Sequence, residues 1–381
     1  MRSKASLLLA FAIFLSSAAY ATAADDQSGH WLDVVFPHDS PVLPVSFSLG
    51  PTSARPRGIS IAVDIHASLY LRNTGTKTIS GLTLRVEAQD ITPSGRGSVT
   101  VPSLLVHPGD VFPVRIDMEL LRPFNSPKTA GSMVQVSLDC ALFSDLTAYG
   151  PDQLGSRRAL MVYELQARRD RAYLAKLIQS GRWTDVREEL NFGLEDFNPQ
   201  QLGLELLREP RPVLNERSIS ISAVSFPSSP VKALGGAARV TGNEVRTPQI
   251  DIQNGSRKMV RNLDMGWIIR DERGRDFVAG STPATVQLAP VQQDRVRESA
   301  TLRFSGPKGQ PMLIEGLMAF VNDVEFGDGS VWIPTRSDID AATNDPILRR
   351  ALATSPEQQR LADVYRKRGI SGLIDELRKV N

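Results

Sequence analysis

The sequence predicts a mainly β protein with some α: two antiparallel β-sandwiches in tandem, each followed by a short helical hairpin. Three observations predict it. Apolar and polar residues alternate in short runs between turn residues. One hairpin pattern occurs twice, and each β block is followed by residues at helical spacing.

The N-terminus reads as a leader. Arg2 and Lys4 precede an apolar run, Leu7 to Leu15, and small residues follow in Ala19-Tyr20-Ala21 and Ala21-Thr22-Ala23. That order is the pattern of a secretory signal peptide, with cleavage expected after Ala23. The apolar run is shorter than the roughly 20 residues needed to span a bilayer. No cysteine lies near the cleavage region, which argues against a lipoprotein. The expected location is the bacterial periplasm or the medium, with no transmembrane segment left after cleavage.

The first β block is expected over residues 24–153. In Ile59 to Leu71, Ile61, Val63, Ile65, Ala67, Leu69 and Leu71 alternate onto one face. Such a strand has one buried and one wet face, as in an antiparallel sheet. The hairpin "SLYLRNTGTKTISGLTLRV" (Ser68–Val86) then aligns without a gap with "QIDIQNGSRKMVRNLDMGW" (Gln249–Trp267). Asn73 matches Asn254, Lys77 matches Lys258, Leu82 matches Leu263 and, beyond the hairpin, Asp90 matches Asp271. Flanking matches follow in the same order. "VVFPHDSPV" resembles "VSFPSSPV", "VHPGD" has a weaker partner in "LAPVQ", and "LFSDLTAYGP" resembles "EFGDGSVWIP". An internal duplication accounts for all of them. Asn73 reads as the turn residue of its hairpin; the residue types alone give no role for Lys77.

One mismatch remains in that alignment. Alternation puts Val134, Val136, Leu138, Cys140 and Leu142 on one face and Phe143 off it. In the second copy Met318, Phe320, Val324 and Phe326 share a face. The aligned phenylalanines then lie on opposite sides, and a bulge in one copy would reconcile them.

Helical spacing follows each block. Residues 154–207 read as a helical segment, in which Leu160, Tyr163, Ala167, Leu174, Leu177 and Ile178 form a stripe that Gly181 ends. Residues 208–218, with two prolines, read as a linker. The second sandwich is expected over 219–336 and a C-terminal helical hairpin over 337–381. There Ser355-Pro356-Glu357-Gln358 has the spacing of a helix start, and Gly369 interrupts the helix.

The first hairpin has the form apolar-x-apolar-x-Asn-x-Gly-x-x-x-Ile-x-x-Leu-x-Leu. It resembles immunoglobulin-like extracytoplasmic modules of the adhesion-related and FxLYD-like kinds, over two stretches of the chain. The second copy departs from the pattern with Asn254-Gly255-Ser256. The resemblance implies a sandwich fold and a binding or scaffolding role, and it brings no catalytic residues.

Charge and chemistry exclude several classes. In 381 residues, 44 Lys and Arg oppose 42 Asp and Glu, a formal net charge of +2. No bulk field favours nucleic acid. Arg157-Arg158 and Arg168-Arg169 read as a solvated helix face. The one cysteine, Cys140, forbids an internal disulfide and reads as a buried structural thiol. Asp64, His66 and Ser68 resemble a triad by type, but they sit at alternate positions of one strand and diverge. Asp323, Glu325 and Asp328 invite calcium without the spacing of a known loop. No phosphate loop, zinc signature or nucleophile elbow occurs.

No catalytic, cofactor-binding or metal-ligating residue is therefore expected. Trp31, Trp267 and Trp332 are the candidate ligand contacts. The expected function is an exported, non-enzymatic binding or scaffold protein of the bacterial envelope, with an envelope protein or a glycan as partner. The alternatives are a carbohydrate-binding or adhesion module, or an exported hydrolase with its site between the copies.

Overall fold

The computed structural model describes residues 32–51, 53–58, 60–88, 96–123, 134–194, 201–207, 215–306 and 309–379. Residues 1–31, which hold the expected leader and Trp31, lie outside them, as do Asp90 and most of the expected linker. The chain divides into two compact units, Met1–Arg157 and Arg158–Asn381.

The first unit holds nine strands: β1 (Leu32–Val35), β2 (Val42–Leu49), β3 (Ser53–Arg57), β4 (Ser60–Asn73), β5 (Ile79–Glu87), β6 (Arg96–Val101), β7 (Val111–Pro123), β8 (Val134–Phe143) and β9 (Ala148–Tyr149). They form two sheets. One runs β1-β8-β5-β6 with β9 on β8, and the other pairs β2, β3 and β7 with β4. Alternation on β4 points Val63, Ile65, Ala67, Leu69 and Leu71 into a core shared with Leu82, Leu84 and Val86 of β5.

The second unit begins within helix α1 (Ser156–Gln179), followed by α2 (Trp183–Leu194). Ten strands come next: β10 (Gln201–Leu207), β11 (Arg217–Ala223), β12 (Val231–Thr241), β13 (Glu244–Asn254), β14 (Val260–Arg270), β15 (Asp276–Leu288), β16 (Gln293–Arg297), β17 (Thr301–Ser305), β18 (Gly316–Phe326) and β19 (Val331–Trp332). Helices α3 (Arg336–Ala342), α4 (Pro346–Ala353) and α5 (Pro356–Arg378) end the chain. The strand order is β11-β12-β13-β17-β10-β15-β14-β18, and β18 pairs back with β11. The result is a closed eight-stranded barrel around Trp267, Phe304, Leu263, Met265 and Ile252.

This closure corrects the expected fold of two tandem immunoglobulin-like sandwiches, each with its own helical hairpin. Two features produce it. β10 lies in the segment read as helical, yet it is a strand joined to β15 on one side and β17 on the other. On β12, Gly235 and Gly236 follow a bulge, and Gly236 pairs with Ile221 on one side and Ile250 on the other. Gly235 has φ +110°, and a Cβ on Gly236 would lie 1.8 Å from the Gln249 carbonyl oxygen. Only glycine suits both positions, and such bulges let a sheet curve until it closes.

The helices also depart from expectation. Leu174, Leu177, Val186 and Leu190 of α1 and α2 share one core with Leu361, Ala362, Leu373 and Leu377 of α5. α3 and α4 instead cover the outer barrel face, with Ile339, Leu348 and Ala351 against Ile268, Val278 and Phe320. Ser355 caps α5 by accepting a hydrogen bond from the Gln358 backbone N–H, and Gly369 kinks it with φ +67°. Two of the arginines read as a solvated face, Arg158 and Arg169, are engaged inside the second unit, while Arg157 and Arg168 stay partly exposed. Arg169 and Arg336 both donate to the fully buried Asp170, and Arg169 also donates to the Pro334 and Ala353 carbonyls.

Local structure repeats between the units in detail. Asn73 Nδ2 donates to the Lys77 and Val106 carbonyls, each at 2.9 Å, and Asn254 Nδ2 donates to those of Lys258 and Leu288 at 2.9 and 3.0 Å. Lys77 Nζ meets Asp145 at 2.7 Å and lies over the Phe143 ring; Lys258 Nζ meets Asp328 at 2.7 Å and lies over Phe326. This supplies the role that Lys77 lacked: it ties its hairpin to the turn after β8. Both copies carry bulges at matching positions, including one at Asp139 and one at Asn322. Each bulge reverses the facing of its strand. Phe143 and Phe326 therefore both turn to the core, and Met318 and Phe320 turn to the outer face.

Candidate functional site

A cleft of about 620 Å³ opens in the barrel wall between β15 and β16. That volume lies in the range of ligand sites, about 300–1,000 Å³. The two strands leave the short connection Ala289–Gln292 and do not pair with each other. β15 is hydrogen-bonded to β14 along its length and, among the described residues, to β10 at Val278 and Ala279. β16 is hydrogen-bonded to β13 over Gln249–Gln253. The cleft lies between the remaining edges.

Its floor is apolar and its rim charged. Trp267 and Ile250 close the bottom, and Ala284, Val286 and Val296 line the sides. Trp267 is 2% exposed, and its Nε1 donates to Thr282 Oγ1 at 3.2 Å. It anchors the floor and offers no open ring face to a ligand. Asp294, Arg295, Arg297 and Glu298 form the rim. Arg295 grips Asp251 through Nε and Nη2, at 2.6 and 3.0 Å, which holds the Asp251 carboxyl below its usual range.

Trp332 lies elsewhere. It is half-buried, and its Nε1 donates to Ser228 Oγ at 3.2 Å. Tyr149, its match in the first unit, makes the corresponding bond to Asp39 at 2.7 Å. Trp332 is thus a tie between loop and sheet. The structure does not bring Trp267 and Trp332 into one site, and Trp31 is outside the described residues.

The other chemical suspects are also accounted for. His66 Nδ1 lies 2.7 Å from Asp117 on the neighbouring β7, while Asp64 accepts a hydrogen bond from Ser53. These side chains do not converge on Ser68. Asp323, Glu325 and Asp328 disperse: Glu325 accepts from Asn262, Asp328 from Lys258, and Asp323 from Arg158. Cys140 is buried, and burial pushes its thiol up to about 12.

Sequence reading missed one acidic pair. Asp264 and Asp323 face each other across β14 and β18, and the Arg158 guanidinium bonds to both. Burial, with the Asp264 charge beside it, raises Asp323 to about 6. The first unit has Thr83 opposite Cys140 at this register. A shifted acid often marks function; here a guanidinium from α1 occupies both carboxylates and ties that helix to the barrel.

Among the described residues, no helix is long and apolar enough to cross a membrane. No protein-family model matches the chain, and no curated protein matches it.

Proposed function

We propose that the chain is an exported, non-enzymatic binding or scaffold protein of the bacterial envelope, and that the cleft between β15 and β16 takes its partner. The observation that carries this reading is the cleft itself: a sizeable opening onto the barrel core, with an apolar floor and a rim of both charges. The leader pattern at Arg2–Ala23 supports export. The engagement of Asp64, His66, Asp323, Glu325 and Asp328 in ion pairs and hydrogen bonds supports a non-catalytic role. The buried ring of Trp267 disfavours sugar stacking there.

The test is retrieval from an envelope extract by the mature chain and by an Arg297→Glu/Thr285→Arg variant. The reading expects a specific envelope protein with the first and its loss with the second. Equal retrieval by both, or none by either, contradicts it.

A further inference from the structure

Two ion clusters on α1 are built with opposite counts. Further along the helix, two guanidiniums, Arg169 and Arg336, meet the buried carboxylate of Asp170, and Arg336 also reaches Glu189. At its first turn, one guanidinium meets two carboxylates. Arg158 Nη2 donates to Oδ1 of both Asp264 and Asp323, and its Nε donates to Asp323 Oδ1 at 3.1 Å. Asp323 Oδ2 accepts from Asn322 at 3.2 Å, and Asp264 Oδ2 accepts from Ser281 at 3.3 Å. Asp323 thus faces Asp264 from β14, Arg158 from α1 and Asn322 beside it. Glu325, two residues on along the same face of β18, accepts from Asn262.

With both carboxylates ionised, the cluster at the first turn carries one negative charge too many. Unbalanced charge out of water is costly, and two acids sharing one site settle the excess by keeping a proton. Asp323 is the member that keeps it, because its side chain is 2% exposed while that of Asp264 is 24%. Both of its Arg158 bonds fall on Oδ1, so a proton on Oδ2 leaves them in place. Burial, and then the Asp264 charge, lift Asp323 to about 6. The matching register of the first unit holds Thr83 and Cys140, so the shared framework folds without such a pair.

We propose that the Asp264–Asp323 pair is a proton-operated latch on α1: with one proton on the pair the first turns of the helix are seated on the barrel, and with none they are loosened. The proposal does not depend on what the chain binds. Its sign follows from what opening does. Lifting the first turns removes Arg158, which lowers Asp323. It also lets in water, which relieves the burial and screens the repulsion that raise Asp323. In the closed state the raising effects win. Relieving all of them together returns Asp323 towards its ordinary value, so the closed state holds the proton more tightly. Seating is therefore favoured below about pH 6, and opening gains as pH rises through that value. The far half of α1 stays seated, held at Asp170 and by Leu174 and Leu177 in the helical core.

Hydrogen exchange of the full chain tests this, read on peptides across Ala159–Glu164 and corrected for the intrinsic pH dependence of exchange. At neutral pH this stretch should exchange faster than β14, which marks an opening of its own. From about pH 4.5 to about pH 7.5 that opening should rise about tenfold in the wild type. Asp323→Asn and Asp264→Asn each leave one carboxylate for one guanidinium, so in each the change should be less than about twofold. Loss of a bond alone would loosen α1 at both pH values and keep the wild-type rise. No rise in the wild type, the same rise in either variant, or a start of α1 that exchanges only together with β14 overturns the latch.

Discussion

Asn73 and Asn254 hold their hairpins with matching hydrogen bonds, and β1–β8 and β11–β18 pair in parallel at the same relative register. Yet the first unit keeps two sheets, whereas the second closes into a barrel. The bulge on β2 falls between Pro44 and Ser46, and that on β12 between Ala233 and Gly235. After it the first unit has Ser46-Phe47 and the second Gly235-Gly236. A framework kept to the level of single bonds thus supports two closures, and a pair of glycines with one extra strand separates them.

Predictions follow from breaking what the units share and what they do not. Asn73→Ala and Asn254→Ala should each cost about 2–4 kcal/mol, because each strands buried carbonyls and a turn N–H. Chemical denaturation of the full chain checks this; a large loss in one unit and none in the other would deny the equivalence. Gly236→Ala should cost about 1–3 kcal/mol, since its methyl meets a backbone carbonyl. Ser46→Ala, at the position of Gly235 in the open copy, should change stability by less than about 0.5 kcal/mol.

The acidic pair gives a smaller, pH-dependent contrast. Asp323 is raised to about 6 in the folded protein, against about 3.9 unfolded. Between those values the folded state holds more protons, so this group's contribution to stability falls as pH rises from about 4 to 6. Asp323→Asn should remove that slope, so the variant gains on the wild type as pH rises through the window. Denaturation across that range reads it, and a constant difference would count against the shift. Cys140, at the same register, has no such titration to lose there. The smallest effect is expected from Lys77→Met and Lys258→Met. Both ion pairs are solvent-exposed, so each variant should lower the melting temperature slightly and by similar amounts.

The sequence made the repeated framework readable because local rules govern it. From Val63 onward alternation on β4 matched burial, whereas at its start Ala62 is buried and Ile61 only half-buried; the aligned asparagines, lysines and apolar positions predicted one hairpin used twice. Gly181, Ser355 and Gly369 marked helix ends and a kink for the same reason. Closure was not readable, because it depends on strands far apart in the chain. "ALGGAARV" carried a signal, a Gly pair inside a strand pattern, which points to a bulge but not to the strand that will pair beyond it. The facing of Phe143 and Phe326 was misread because alternation assumes no bulge, and both copies have one. The cleft left no motif, since it lies between two strand edges that do not pair with each other. The Asp264–Asp323–Arg158 cluster joins residues distant in sequence, and only the packing of α1 on the barrel brings them together.

Native-state hydrogen exchange on the full chain tests the central claim most directly: one framework, closed in the second unit and, among the described residues, open there between β15 and β16. Amides of β11 and β12 should be strongly protected, with β12 held on both edges, while β2 exchanges faster along its outer edge. In the same experiment the edge amides of β16 and Thr285 should exchange quickly. Equal, strong protection of β15 and β16 would contradict the account, as would exchange of β11 and β12 as fast as β2.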